Sequence, residues 1–190
     1  MTGQDFERSV VHAFNDYAEL YTKKLVAYRH IQMRYQPQLF DVLVDSRANE
    51  FYLAIECKSI DPNTVDKLYF KKAFNWKNGE CQVVRETDWL SRSGRNGFLV
   101  VELRRGRPNG TSAFFVPWRV VDHAFRTGRP ALEQEQITYA PSLKKRGDKY
   151  TMDDDFIGDL ITQLDSYPKD KKKAYAKKGG KAGAWTKSAL

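Results

Sequence analysis

The chain has 190 residues, 41% hydrophobic and 13% aromatic, enough for one compact domain with a substantial core. Its two cysteines, Cys57 and Cys81, suggest no disulfide framework, and neither they nor His12, His30 and His123 have zinc-ligand spacing. The net charge of +8 is lopsided: eight lysines against Asp170 put +7 into residues 169–190, so the rest is nearly neutral.

In chain order, Met1 to Asp5 lacks the basic start and apolar run of a secretory leader, and no apolar stretch has the length of a membrane span. A cytoplasmic protein with no membrane partner is expected. Phe6, Val10, Phe14, Tyr17 and Tyr21 recur at helical spacing over residues 4 to about 21, predicting an amphipathic helix packed on a sheet, with Glu7 on the flank of its apolar stripe. Lys24 to His30 suits a first strand, followed by a polar, basic connection with Arg34 and Pro37. Phe40 to Val44 and Phe51 to Lys58 read as a strand hairpin joined by a turn from Asp45 to Glu50.

Residues 59–79 mix Leu68, Phe70, Phe74 and Trp76 with Lys67, Lys71, Lys72 and Lys77. Aromatics among lysines either anchor a long loop to the core or stack on bases and hold phosphates, and the anchor is the expectation. Glu80 to about Ser91 reads as a helix stopped by Gly94, with Gln82, Arg85 (or Glu86) and Trp89 on one face. Phe98 to Leu103 has the continuous apolarity of a strand buried on both faces, and Ala113 to Val116 returns beside it before a helix starting at Trp118. The acids Asp153, Asp154 and Asp155 precede Phe156, Ile157, Leu160, Ile161 and Leu164 at helical spacing and are expected to cap that helix rather than bind metal. The order of elements implies an α/β core with a central mixed sheet flanked by helices. No phosphate-cradling glycine loop is present, and no small-molecule cofactor is expected. Lys171, Lys172, Lys173, Lys177 and Lys178 make 169–190 a flexible basic arm able to contact phosphates without reading bases, a merely solubilising tail being the alternative.

The hairpin carries the chemistry. Side chains alternate faces along a strand, so Glu56 and Lys58 point one way while Leu53, Ile55 and Cys57 point the other. If the turn folds Asp41 back beside them, two carboxylates and a lysine share one sheet edge, an oxygen-rich site suited to Mg²⁺, with Mn²⁺ as substitute. The alternative is a solvated Glu56–Lys58 pair with Asp41 merely ending a turn.

Asp41, fourteen residues, then Glu56-Cys57-Lys58 resembles the PD-(D/E)XK nuclease motif. Gly3-Gln4-Asp5-Phe6-Glu7-Arg8, Arg29, Gln82 with Leu90, and the pair Gly97-Phe98-Leu99-Val100-Val101 and Phe114-Phe115-Val116-Pro117 narrow the match. Together they resemble Holliday junction resolvases of the archaeal Hjc and bacterial RecU type, over about residues 3–125. Phe40 stands where that motif usually has a proline. The resemblance implies a restriction-endonuclease-like core, with a nuclease domain over 1–168, additional elements at 126–168, and the basic tail after it. It implies Asp41 and Glu56 as principal metal ligands, the Cys57 carbonyl as another, and Glu7 joining directly or through water. Lys58 would orient the attacking water or counter developing negative charge. Arg29, Arg34, Lys71, Lys72, Gln82 and Arg85 are the candidate DNA contacts within the domain. The implied activity is Mg²⁺-dependent resolution of four-way DNA junctions by a homodimer making paired nicks, in a prokaryotic cytoplasm or a viral host's. A repair or restriction-type nuclease with the same site, and a catalytically silent branched-DNA-binding protein, are the alternatives.

Overall fold

A computed structural model of the chain describes residues 3–30, 39–47, 51–106 and 110–165. Helix α1 (Gly3–Leu20) forms where the spacing places it and buries Phe6, Val10, Phe14 and Tyr17. Tyr21 leaves the expected stripe because the helix stops at Leu20 and Thr22 turns the chain at φ 52°. Strands β1 (Leu25–Arg29), β2 (Val42–Ser46) and β3 (Leu53–Ile60) follow as an antiparallel ladder, Arg29 opposite Val42 and Val42 opposite Ile55. The turn starts later than the sequence suggests, since Asp45 and Ser46 still pair with Val26 and Leu25.

From Ile60 the chain passes through β4 (Lys67–Tyr69), a single turn α2 (Phe70–Ala73), a small hairpin of β5 (Trp76–Lys77) and β6 (Glu80–Cys81), and helix α3 (Gln82–Ser93). It returns as β7 (Asn96–Arg104), parallel to β3. Leu68, Phe70 and Phe74 are buried, so these three aromatics and aliphatics anchor the segment as expected. Strand β8 (Thr111–Pro117) folds back on β7 and leads into α4 (Trp118–Arg126). The remainder comprises β9 (Ala131–Glu133), α5 (Gln134–Thr138), β10 (Ser142–Arg146) and β11 (Lys149–Tyr150), which the sequence did not predict, and α6 (Asp154–Asp165), which it did. Asp153 caps α6 by accepting the Phe156 N–H at 2.9 Å, the role its position before the apolar stripe implied.

The central sheet has seven strands in the order β1-β2-β3-β7-β8-β10-β11, mixed because β3 and β7 run parallel within otherwise antiparallel neighbours. It is the α/β architecture expected, a mixed sheet flanked by helices. Strand alternation divides the core. On one face Leu53, Ile55, Phe98 and Val100 meet α1 and α6; on the other Ala54, Leu99 and Val101 meet Val83 of α3 and Trp118 and Val121 of α4. The second face is also the one to which Glu56 and Lys58 point. Gly97 lets α3 and α4 reach it: a Cβ there would lie 2.4 Å from Leu90 Cδ1 and 2.8 Å from Trp118 Cβ. No described helix is long and apolar enough to cross a membrane.

Candidate active site

Asp41 sits where three strands are still in register. Its N–H donates to the Ile55 carbonyl at 2.9 Å and its own carbonyl accepts from His30 N–H at 2.8 Å. Its side chain then turns along β3, and Oδ2 accepts the Cys57 N–H at 2.7 Å. The hairpin therefore does fold Asp41 back towards Glu56 and Lys58. Cys57 has the parity of Ile55, so its carbonyl faces the same edge as the Asp41 carboxylate. Beside them Glu56 is 2% exposed, and its Oε1 accepts both Lys58 Nζ at 2.6 Å and Gln82 Nε2 at 2.9 Å. A solvated surface pair is thereby ruled out for Glu56 and Lys58. The ammonium also lies 5.4 Å over the Phe74 ring.

Glu7 comes in from α1 and is held by Arg29, whose Nε and terminal nitrogen approach Glu7 Oε2 at 2.8 and 2.7 Å. Arg29 thus lies at the rim of the site, engaged with its outermost acid. Gln82 lies beneath Glu56 with its amide spent inside the protein: Oε1 accepts the Asn75 N–H at 3.1 Å, and Nε2 bridges Glu56 and Glu86. Arg85 turns away, donating to the Glu80 carbonyl at 2.9 Å. Lys71 and Lys72 are exposed on α2. Arg34, Lys171, Lys172, Lys173, Lys177 and Lys178 lie outside the described residues.

One residue of this network had no role in the sequence. Glu86 is fully buried, and its Oε1 accepts Gln82 Nε2 at 2.8 Å and the Phe40 N–H at 3.2 Å. It therefore braces both Gln82, which holds Glu56, and the residue preceding Asp41. The signal was its place one turn after Gln82 on the inward face of α3. Phe40 itself adopts φ 62°, with its ring between Trp89 and Trp118 at centroid distances of 5.5 and 5.1 Å.

The electrostatics are those of surplus negative charge in a dry site. Burial, then the Glu56 charge, pushes the Asp41 carboxyl up to about 7, against the opposing pull of the Cys57 N–H and Lys58. Burial and the Glu86 charge bring Glu56 to about 7 despite Lys58 and Gln82, and burial brings Glu86 there too. Burial alone would lower Lys58, but Glu56 and then Asp41 and Glu86 outweigh it, so its ammonium is held charged more firmly than usual. Burial, then the Asp41 and Glu56 charges, raises the Cys57 thiol well above its ordinary value, which keeps that sulfur protonated.

A divalent cation would relieve this repulsion, and the donor set fits one. Glu56 accepts hydrogen bonds only at Oε1, among the described residues, leaving Oε2 for coordination. With Asp41 and the Cys57 carbonyl this is a set of hard oxygens, matched to Mg²⁺ or Mn²⁺ rather than to zinc. Among the described residues no group of three His, Cys, Asp or Glu side chains is placed to hold a metal alone, so a main-chain oxygen and water would have to complete the shell.

The Glu86 brace has a measurable consequence. Glu86→Ala leaves the Phe40 N–H and one Gln82 N–H buried without acceptors and is expected to cost about 2–4 kcal/mol, whereas Glu86→Gln keeps an acceptor oxygen and stays within about 1 kcal/mol of the parent. Urea denaturation of the three proteins decides this, and equal losses in both variants would remove the brace.

No protein-family model matches the chain, and no curated protein matches it. Among solved structures, the Holliday junction resolvase Hjc of the archaeal hyperthermophile Archaeoglobus fulgidus is similar with a TM-score of 0.44 and 16% sequence identity. The match covers 82% of this chain and 98% of that one. Likeness at this level lends no weight to a function, and the fold class stands on the strand order itself.

Proposed function

We propose that the chain is a Mg²⁺-dependent endodeoxyribonuclease, with Mn²⁺ as a possible substitute, that resolves four-way DNA junctions as a homodimer by paired nicks. The observation that carries the nuclease reading is the Asp41 carboxylate closing on the Cys57 amide next to the buried Glu56–Lys58 pair. The junction as substrate is supported by the sequence resemblance carried by residues 3–8, Arg29 and Gln82. Paired cuts on a nearly two-fold substrate call for two sites at a fixed separation, hence a symmetric dimer.

A cation held by Asp41, Glu56 and the Cys57 carbonyl would supply Lewis-acid activation of the phosphodiester and of water. The chain's own residues do the rest. Lys58, kept cationic and fixed by Glu56 and Phe74, orients the attacking water or balances the charge of the pentavalent phosphorane as the new P–O bond forms. The attacking water gives up a proton to solvent as it bonds to phosphorus, the P–O bond to the 3′ oxygen breaks, and that oxygen leaves with the electron pair and takes up a proton from solvent. Glu7, steadied by Arg29, would join the shell through water.

The deciding experiment incubates the protein with a four-way junction, a matched linear duplex and a single strand, each with Mg²⁺ or EDTA. Symmetric nicks confined to the junction support the proposal. Equal cutting of the duplex points to a repair or restriction-type nuclease, and binding without cutting to a silent branched-DNA binder. Removing residues 169–190 takes away seven net positive charges and is expected to weaken junction binding and flatten its dependence on salt. An unchanged slope of log K against log[salt] would refute the DNA-contacting arm.

A further inference from the structure

Trp76 stands 47% exposed on β5, one residue beyond the point where the crossover is clamped to the active site. The clamp is double: Gln82 N–H donates to the Asn75 carbonyl at 2.8 Å, and Asn75 N–H donates to Gln82 Oε1 at 3.1 Å. The same Gln82 holds Glu56, so the β5–β6 hairpin is bolted to the catalytic carboxylate through one side chain. Its tip is stiff, because Asn78 at φ 53° and Gly79 at φ 80° both take the left-handed conformation of a type I′ turn, whose twist matches that of a two-residue hairpin.

Within this segment the aromatics divide. Phe70 and Phe74 are buried, whereas Trp76 leans on Phe125 with ring centroids 6.2 Å apart and keeps much of its indole in water. No hydrogen bond among the described residues engages its ring N–H. Lysines predominate around it: residues 70–79 contain Lys71, Lys72 and Lys77 and no acid, Glu80 stands opposite Lys77 across the hairpin, and neither Lys71 nor Lys77 forms an ion pair among the described residues. A rigid, half-open indole among three lysines has the chemistry of a stacking platform for a base with phosphates on either side.

We infer that this hairpin engages an unstacked nucleobase beside the cleavage site, with Trp76 stacking on the base and Lys71, Lys72 and Lys77 contacting the flanking phosphates. This rests on the nuclease proposal and deepens it, because a branch point opened on the protein exposes an unstacked base, which continuous duplex does not. Selectivity for branched DNA then arises without sequence preference, since every base has a π face.

The test uses the Glu56→Gln protein, alone and combined with Trp76→Ala or Trp76→Phe, binding a four-way junction that carries 2-aminopurine at its branch point, and a linear duplex. Trp76→Ala is expected to weaken junction binding by about 5- to 150-fold, the span of one base–aromatic stack, and to abolish the 2-aminopurine fluorescence change. Trp76→Phe retains most of both, and duplex binding is unaltered. Junction affinity and fluorescence equal to those of the Glu56→Gln protein, or an equal loss on junction and duplex, overturns the stack. Cleavage by Trp76→Ala protein with Glu56 intact separates the two ideas. If no form of the protein cuts DNA with Mg²⁺, the nuclease proposal falls while the binding comparison still judges Trp76.

Discussion

Asp41→Asn and Glu56→Gln are each expected to lower Mg²⁺-dependent cleavage by about a thousandfold or more while preserving DNA binding, and Asp41→Asn to raise the melting temperature of the metal-free protein at pH 8. The two effects share one cause. Folding lifts the Asp41 carboxyl from 3.8 to about 7, so the folded state binds this proton more tightly than the unfolded chain does. The sign follows: the metal-free protein is most stable, as far as Asp41 is concerned, below pH 4, loses stability as pH rises from about 4 to 7, and bears the whole penalty above that. That penalty is on the order of 2–4 kcal/mol, less whatever solvent and neighbours relieve. Asn keeps an oxygen for the Cys57 N–H but carries no charge, so it escapes the penalty and melts about 4–8 °C higher at pH 8 for a release of about 2 kcal/mol. Mg²⁺ is expected to raise the melting temperature of the parent above pH 7 and to leave Asp41→Asn unmoved. Calorimetry at pH 5 and pH 8, with Mg²⁺ or EDTA, reads all of this beside the cleavage assay. A variant that cuts at the parental rate, or an Asp41→Asn protein that melts below the parent at pH 8, would break the assignment of Asp41 as a strained ligand.

The parts of this site that follow a strand or helix period were legible from the sequence. Glu56 and Lys58 share a face because they are two apart on β3, and β7 was recognisable because a strand buried on both faces needs an unbroken apolar run. The α1 stripe placed Glu7 on its flank, and the step from Asp153, Asp154 and Asp155 to Phe156 and Ile157 marked the start of α6. What escaped depends on contacts between segments distant in the chain. The crossover 61–81 has no single period, because α2, β5 and β6 are each too short to repeat one, and its order comes from β4 pairing with β9 some sixty residues later. Strand β10 holds its place with one apolar side chain, the buried Leu143, so a local pattern scarcely existed to be read. Glu86 is a charged residue on an inward face, which ordinarily argues against burial; only Gln82 and the Phe40 N–H converging on it explain its presence. Arg29 could be flagged from sequence as a cation near the site, but its bond to Glu7 needed β1 laid beside α1.

Phe40 makes the same point with a larger expected effect, because proline, usual before the aspartate in the nuclease motif that Asp41 and Glu56-Cys57-Lys58 resemble, is a residue this backbone cannot accept. Phe40→Pro is expected to cost more than about 5 kcal/mol, enough to leave the protein largely unfolded at 37 °C. Three losses add. Proline fixes φ near −65°, whereas Phe40 sits at 62°; proline has no N–H for Glu86 Oε1; and the ring that fills the space between Trp89 and Trp118 is gone. Phe40→Gly separates the backbone from the ring. Glycine accepts φ 62° without strain and keeps the N–H, so it pays only for the cavity, about 3–4 kcal/mol after the relief of strain. Urea denaturation should therefore place the glycine variant well above the proline variant despite their similar loss of apolar volume. Equal stabilities would show that neither the left-handed conformation nor the bond to Glu86 matters. The ordering should persist in cleavage assays run in Mg²⁺ below the unfolding temperature of each variant, since the peptide that Phe40 turns is the one that aims the Asp41 side chain along β3 towards the Cys57 amide.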